Sequence, residues 1–307
     1  MTSLPPGAPA NAALPPGNVI LCADDFGISD GVSRGIEELA HARRLSATSA
    51  IVTLPGWPRH AERLARLRPL LAIGLHVNLT LGAPLGALPS LAPLGKLPPL
   101  DTILRRAMLR RLDRDEIAAE IGRQLELFEH ATGLRPDFVD GHQHVHSLPV
   151  VRQALLQALV QRFPDAGVLV RDPADDIAAI VRRRAAIGKS LVIAAVASGF
   201  CARVRHAGFP TNRGFSGVSA FIPGTPFGAE LAHFFAAPGP CHLVMCHPGY
   251  PDDELRRLDP VVERRREELE ALNATVGLCE AIWHVARPDG IAYPMWPGAD
   301  PTRGTVR

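Results

Sequence analysis

The stretch NVILCADDFG, residues 18–27, begins as a short apolar run and ends on two adjacent carboxylates, Asp24 and Asp25. A run of this length with β-branched residues is typical of a buried strand, and a helical pattern follows it over residues 33–44. The order strand, polar turn, helix is the repeating unit of α/β proteins. This stretch therefore decides the expected fold class.

Similar apolar runs recur and alternate with helical patterns. Further strands are predicted at 47–53, 71–77, 138–144, 167–171, 241–247 and, less clearly, 211–217. Helices are predicted at 60–67, 115–131, 149–163, 175–187 and 260–272. About seven strands alternating with helices predict a parallel sheet, most simply a distorted or incomplete (β/α) barrel of the TIM type. A doubly wound open sheet is the alternative, but no GxGxxG follows the first strand.

Composition narrows the class of protein. The 307 residues are 47% hydrophobic and 21% charged, which is typical of a globular chain. With 33 basic against 31 acidic residues, nothing favours a nucleic-acid partner. No apolar run reaches the roughly 20 residues of a membrane span. Five cysteines without CxxC spacing predict reduced thiols and a cytoplasmic location.

Polar side chains follow the ends of four predicted strands. Asp24 and Asp25 end the first strand, His76 the third, the block at 140–146 the fourth, and His247 the last. In (β/α) barrels the active site is built at this carboxyl-terminal rim from several strands. Four separate segments are therefore expected to bring carboxylates and imidazoles to one place.

The block DGHQHVH carries four alternating polar residues, Asp140, His142, His144 and His146. While the chain stays extended, these side chains project from one face. A polar strand end satisfied by hydrogen bonds is the alternative, but three imidazoles and a carboxylate within seven residues favour metal binding.

The adjacent carboxylates suggest a division of labour. Asp24 and Asp25 form either a helix cap or a pair in which one binds a cation while the other accepts a proton. His247, between an apolar strand and a Pro-Gly turn, is a candidate general acid or a turn-stabilising residue. A histidine such as His76, taken by itself, is more often a core residue than a metal ligand. Together with the histidine block, these positions favour a functional metal site over purely structural roles.

Four motifs resemble one family in order and spacing: ADDFGIS (23–29), GLHVNLT (74–80), DGHQHVH (140–146) and MCHPGY (245–250). The sequence resembles the YdjC/ChbG-like carbohydrate deacetylases from about residue 18 to residue 272. That resemblance implies a distorted (β/α) barrel related to the polysaccharide deacetylases. It also implies removal of N-acetyl groups from chitooligosaccharide-type sugars.

The resemblance assigns roles position by position. The implied metal ligands are Asp25, His76 and His142. The implied catalytic groups are Asp24 as base, His247 as acid and Arg171 beside the base. It implies one divalent metal ion, with Mg²⁺ known in the family, whereas the ligand types also suit Zn²⁺, Mn²⁺ or Co²⁺. An acetylated amino sugar is the expected substrate, and a homodimer is the expected assembly.

Several segments are expected to serve specificity or to lie outside the domain. The loop at 82–100, the turn at 212–215 and Trp57 are candidates for sugar contacts, although Trp57 fits core packing equally well. His144 and His146 are expected either to support the ligands or to face the substrate. We predict a disordered Pro-rich leader over 1–17, a single catalytic domain over 18–290, and a tail over 291–307.

Two other functions fit parts of the pattern. A metal-dependent phosphoesterase on a similar barrel also uses Asp and His clusters, but usually with ligands for two metals and clustered phosphate contacts. A non-catalytic carbohydrate- or metal-binding protein is the other alternative. An intact set of ligand, base and acid residues argues against that second class.

Overall fold

A parallel sheet of seven strands curls into an incomplete barrel in the computed structural model, which describes residues 17, 19–219, 226–287 and 294–297. The strands are β1 (Val19–Phe26), β2 (Ala47–Ala50), β3 (Ala72–Val77), β4 (Phe138–Gly141), β5 (Leu169–Val170), β6 (Phe215–Ser216) and β7 (His242–Cys246). Their order is β5-β4-β3-β2-β1-β7-β6. The predicted incomplete parallel barrel is thus confirmed.

Helices connect the strands and cover the outside of the sheet. They are α1 (Asp30–His41), α2 (Trp57–Arg66), α3 (Leu100–Met108), α4 (Arg114–Thr132), α5 (Val151–Arg162), α6 (Ile177–Arg183), α7 (Ile187–Val196), α8 (Phe200–His206), α9 (Phe227–Phe234), α10 (Asp253–Leu258), α11 (Glu263–Ala274) and α12 (Leu278–Ala281). Six of these helices were not predicted from the sequence: α3, α7, α8, α9, α10 and α12. Within the described residues, no single helix is long and apolar enough to cross a bilayer. Helices α7 and α8, which meet at a bend, reach that length and apolar composition only when taken together.

Side chains of the strands alternate between two apolar cores. On β1, Leu21 faces the helices, whereas Ile20 and Cys22 face the inside of the barrel. Trp283 and Trp296 stack inside it with ring centroids 5.1 Å apart, and the Trp283 amide donates to the Val19 carbonyl at the start of β1. The amino-terminal end of the barrel is therefore filled, which leaves polar groups at the other end.

The barrel is incomplete because β5 and β6 have two residues each and are not paired with each other. One side chain, that of Asn212, links the segments beside them. It accepts a hydrogen bond from the Asp172 amide at 2.7 Å and donates to the carbonyls of Asp172 and Gly214 at 2.9 and 3.0 Å. The predicted turn at 212–215 thus joins two strands.

The loop predicted at 82–100 is irregular up to the start of α3. Acidic residues of α4 hold it: Glu120 accepts from the Leu85 amide at 2.9 Å, and Glu116 accepts from the Leu91 amide at 2.8 Å. The predicted leader, apart from residue 17, and the predicted tail, apart from 294–297, lie outside the described residues.

Candidate active site

Three side chains from different strand ends meet at the carboxyl-terminal rim. The Asp25 Oδ1 atom lies 2.9 Å from His142 Nδ1 and 3.3 Å from His76 Nε2. All three residues are buried, and one donor atom from each lies within 4.8 Å of the other two. One carboxylate oxygen and two imidazole nitrogens form a donor set that suits a divalent cation. The chain therefore has a candidate metal site here.

A bulge in β1 brings two consecutive aspartates to the same site. Adjacent residues of a regular strand point to opposite faces. The register between β1 and β2 shifts between Ala23 and Phe26, and Asp25 has a left-handed backbone with φ 70°. Non-glycine residues adopt this conformation rarely, and bulges commonly redirect side chains beside active sites. The local distortion allows Asp24 and Asp25 both to face the interior.

Asp140 orients His76. The two residues are direct neighbours across β3 and β4, and His76 Nδ1 lies 2.6 Å from Asp140 Oδ1. A proton on Nδ1 leaves Nε2, which faces Asp25, free to bind a cation. Burial by itself would lower the pKa of His76, but the carboxylates of Asp140, Asp25 and Asp24 together outweigh it and raise the pKa to about 10, so without a cation Nε2 carries a proton that a bound cation would displace. This pairing of carboxylate and imidazole is common behind metal-binding histidines.

Arg171, directly after β5, binds the other aspartate. Its guanidinium donates to both oxygens of Asp24 at 2.7 and 2.6 Å, pairs with Asp140 at 2.5 Å, and lies 3.0 Å from the Cys22 sulfur. Burial would raise the pKa of Asp24, but the Arg171 charge lowers it below its ordinary value. Asp24 is therefore ionised at neutral pH. A second group of possible metal donors consists of Cys22, Asp24 and Asp140. The Arg171 guanidinium already lies among these three side chains, so we do not assign a metal to them.

His247 lies at the end of β7 on a turn packed against α1. Gly35 of α1 allows this approach, because a Cβ there would lie 2.8 Å from the Gly249 Cα. Burial lowers the pKa of His247, while the nearby carboxylates of Asp25 and Asp24 act in the opposite direction. The imidazole thus lies within electrostatic reach of both aspartates.

The six residues singled out from the sequence therefore share one end of the barrel. Five of them, Asp24, Asp25, His76, His142 and Arg171, form one chain of direct contacts through Asp140. His247 lies on the neighbouring turn. Their catalytic and ligand roles remain predictions.

The prediction that His144 and His146 share a face with His142 is wrong. The chain leaves the extended conformation at Gly141 and turns through a 3₁₀ segment, His142–Ser147. Gln143 and His144 have left-handed backbones, with φ 55° and 60°. The His144 ring packs edge-on against Phe215, whereas His146 Nε2 lies 2.8 Å from the Arg171 carbonyl. His146 consequently supports the backbone of Arg171.

Trp57 belongs to the core. It is 1% exposed and its ring stacks on Phe128, with centroids 6.1 Å apart. A sugar ring has no access to that face, so the proposed sugar contact of Trp57 is wrong.

Two residues of α11 were missed. Arg265 donates to Asp25 Oδ2 at 2.6 Å, and Glu268 accepts from the His247 amide at 2.5 Å. Both share the buried side of the helix with Leu269 and Leu272. The sequence signal was a basic and an acidic residue at the i and i+3 positions of an otherwise apolar stripe.

Comparison with known proteins identifies the family of this chain and a solved structure that shares its fold. The sequence model of the family described as YdjC-like protein matches residues 18–276. The chain belongs to the YdjC-like family. It is 41% identical over 147 residues to a chitooligosaccharide deacetylase of Serratia marcescens, a match that covers 47% of this chain and 55% of that protein.

Other matches differ in how much of each protein they cover. A chitooligosaccharide deacetylase of Klebsiella pneumoniae (strain MGH 78578) is 32% identical over 235 residues, covering 76% of this chain and 82% of that protein. By contrast, the chain spans about half the length of the Serratia marcescens and Proteus mirabilis relatives, 55% and 49%.

A solved structure shares the fold. It is described as a candidate cellobiose-phosphate cleavage protein from Enterococcus faecalis V583. The match has a TM-score of 0.64 at 23% identity and covers 87% of this chain and 94% of that one. This likeness supports the barrel architecture.

Proposed function

We propose that this protein is a metal-dependent hydrolase that removes N-acetyl groups from an amino sugar or oligosaccharide of the N-acetylglucosamine type. The observation that carries the proposal is the ionised Asp24, held by Arg171, beside the cluster of Asp25, His76 and His142. The printed names of the YdjC-like relatives support a chitooligosaccharide as the kind of substrate. The catalytic domain would span residues 18–290.

Asp25, His76 and His142 would hold one divalent cation. The family favours Mg²⁺, and the donor types also suit Zn²⁺, Mn²⁺ or Co²⁺. Such a cation, when bound, polarises a carbonyl oxygen and lowers the pKa of water. Asp140 keeps the His76 ring oriented through its 2.6 Å contact.

Asp24 would act as the general base. The Arg171 guanidinium keeps it ionised, so it accepts a proton from the attacking water at neutral pH. The same ion pair fixes the direction of the carboxylate. Because the low pKa makes Asp24 a weak base, it suits a water molecule that is already acidified.

His247 would act as the general acid. An amide nitrogen leaves poorly unless it is protonated, and the imidazolium supplies that proton. Burial lowers the pKa of His247 and the Asp25 and Asp24 carboxylates only partly oppose it, so the proton-donating imidazolium is the minor form of this residue at neutral pH. The half-buried loop at 82–100 and the turn at 212–215 are the candidate sugar contacts.

Acetate release from N-acetylglucosamine and from chitooligosaccharides of increasing length tests the function. We expect release from at least one of these sugars, its loss after chelation, and its return when Mg²⁺, Mn²⁺, Co²⁺ or Zn²⁺ is added back. Phosphate release from sugar phosphates, without acetate release from any acetylated sugar, would instead identify a phosphoesterase. Acetate release unaffected by chelation would contradict metal dependence.

A further inference from the structure

Helix α11 touches the candidate site at two points one turn apart. Arg265 and Glu268 are 1% and 2% exposed, and both face the barrel rim rather than solvent. Burying a charged side chain is costly unless it is paired. Each of the two has a polar partner in a different functional segment: the Asp25 carboxylate and the His247 main chain.

Arg265 fixes one oxygen of Asp25. Its Nη2 atom donates to Asp25 Oδ2 at 2.6 Å and to Asp259 Oδ2 at 2.7 Å, while Nε donates to the Val261 carbonyl at 3.0 Å. These contacts hold the guanidinium in one orientation. Since Oδ2 is engaged, Oδ1 is the oxygen that Asp25 presents to His76 and His142.

Glu268 fixes the turn that carries His247. Its Oε2 atom accepts from the His247 amide at 2.5 Å, and the Gly249 amide donates to the Arg265 carbonyl at 3.0 Å. The helix therefore binds this turn through both a side chain and its own backbone. Burial raises the pKa of Glu268 to about 7, so a neutral carboxyl is also present at physiological pH, and its carbonyl oxygen still accepts the bond.

We propose that Arg265 and Glu268 are positioning residues, Arg265 for the metal-facing oxygen of Asp25 and Glu268 for the backbone of His247. Helix α11 thereby sets the separation between the candidate metal ligands and the candidate proton donor. The part concerning Glu268 rests on the proposed function. The part concerning Arg265 rests only on the candidate metal site.

Mn²⁺ binding to the purified protein, measured by titration calorimetry, tests Arg265. We expect Arg265→Gln to weaken Mn²⁺ binding by about 10- to 100-fold, the effect of removing a group that orients a metal ligand. Arg265→Lys keeps the charge but loses the planar guanidinium. Its Mn²⁺ affinity should lie between those of the wild type and Arg265→Gln. Arg266→Gln changes the exposed neighbour on the same helix and is the matched control.

The Arg265 assignment is overturned if Arg265→Gln binds Mn²⁺ as tightly as the Arg266→Gln control. A purely structural role would lower the melting temperature of Arg265→Gln without changing Mn²⁺ affinity. If Arg265→Gln does not fold, Arg265→Lys is compared with the same control. Wild-type Mn²⁺ affinity in Arg265→Lys would contradict a role for the guanidinium that bonds both Asp25 and Asp259.

Two substitutions that differ in hydrogen bonding test Glu268. Glu268→Gln keeps an oxygen that accepts from the His247 amide, whereas Glu268→Met keeps the length and loses the acceptor. We expect Glu268→Met to lower kcat for acetate release by about 10- to 100-fold, a loss typical of a misplaced catalytic group. Its KM and Mn²⁺ affinity should stay near wild type. Glu268→Gln should restore kcat, and Glu267→Gln is the exposed control.

Failure of this assignment is distinguishable from failure of the proposed function. Equal kcat in Glu268→Met, Glu268→Gln and an active wild type overturns the positioning role. Inactivity of the wild type towards every acetylated sugar contradicts the function instead. In that case the imidazole ¹⁵N signals of His247, assigned by comparison with His247→Gln, test the positioning role of Glu268. These signals should shift in Glu268→Met and not in Glu268→Gln. Unchanged signals in both variants overturn the positioning role.

Discussion

The two sides of the incomplete barrel hold their functional groups in different ways. From β1 to β4 the strands are four to eight residues long and pair with their neighbours. They carry Asp24, Asp25 and His76, with His142 directly after β4. On the other side β5 and β6 have two residues each, and Arg171 emerges from β5.

Backbone ladders position the first side, whereas side-chain bonds position the second. The Arg171 amide donates one ladder hydrogen bond, to the Val139 carbonyl at 3.0 Å, but the guanidinium is fixed by Asp24 and Asp140. Asn212 closes the gap beside β5 in the same manner. Groups that need close placement therefore sit at the ends of paired strands or are tied to them by side-chain bonds. Substitution of the functional side chains and of the linking residue Asn212 should therefore separate chemistry from stability.

The largest expected effect is on the strand-borne base. Asp24→Asn removes the proton acceptor but leaves Asp25, His76 and His142 unchanged. We expect kcat for acetate release to fall by about 10²- to 10⁴-fold, the usual contribution of general base catalysis. Mn²⁺ affinity, measured by calorimetry, should stay within about threefold, well below the 10-fold minimum expected when a group that supports the metal is lost.

Asp115→Asn, on an exposed position of α4, is the control for that experiment. Near-normal turnover in Asp24→Asn would exclude Asp24 as the base. Loss of Mn²⁺ binding in the same variant would instead make Asp24 part of the metal site.

The next largest effect is on metal binding. His142→Ala removes one of three donors, and we expect Mn²⁺ affinity to fall by more than about 100-fold, beyond the loss expected for a supporting group. His130→Ala, an exposed histidine of α4, should bind Mn²⁺ like the wild type. Elemental analysis of the purified variants provides a second measurement. Equal metal content in His142→Ala and His130→Ala would remove His142 from the ligand set.

The side with longer strands was also the side that the sequence predicted well. Apolar runs that stop at polar residues locate β1, β3, β4 and β7, and the shared rim of a parallel sheet brings Asp25, His76 and His142 together. The features that the sequence did not predict depend on tertiary interactions. The alternation argument assumed an extended chain through His144, but no local pattern encodes the left-handed backbones of Gln143 and His144. Likewise, the apolar stripe of α11 marks Arg265 as buried, but only the packing of the helix shows that Arg265 reaches Asp25.

For Asn212, the linking side chain on the short-strand side, we expect a loss of stability rather than of chemistry. Asn212→Ala deletes three hydrogen bonds and leaves buried backbone groups of Asp172 unsatisfied. The free energy of unfolding should fall by about 2 kcal/mol, typical for unpaired buried polar groups. Denaturant titration measures the change, and Mn²⁺ affinity should remain near wild type. A large loss of affinity with unchanged stability would show that this side positions the metal site directly.

The smallest effect concerns His242, which links β7 to β6 inside the barrel wall. The Ser216 hydroxyl donates to the Phe234 carbonyl at 2.8 Å, so it accepts from His242 Nε2 at 2.9 Å, while Nδ1 accepts from the Gly239 amide at 3.3 Å. A neutral ring satisfies both contacts, and a second proton would face an N–H donor. Burial, followed by the Arg183 charge, lowers the pKa of His242 to about 4.

Between pH 6.5 and about 4 the unfolded chain therefore binds more protons at this position than the folded protein, and acidification destabilises the fold. From pH 7 to 5.5 His242 should account for about 1 kcal/mol of lost stability. His242→Gln keeps an N–H donor towards Ser216 without titrating, so its unfolding free energy should fall less over that interval. His41→Gln, at the exposed end of α1, is the matched control. If His242→Gln and His41→Gln lose equal stability on acidification, the link between β6 and β7 does not depend on a neutral imidazole.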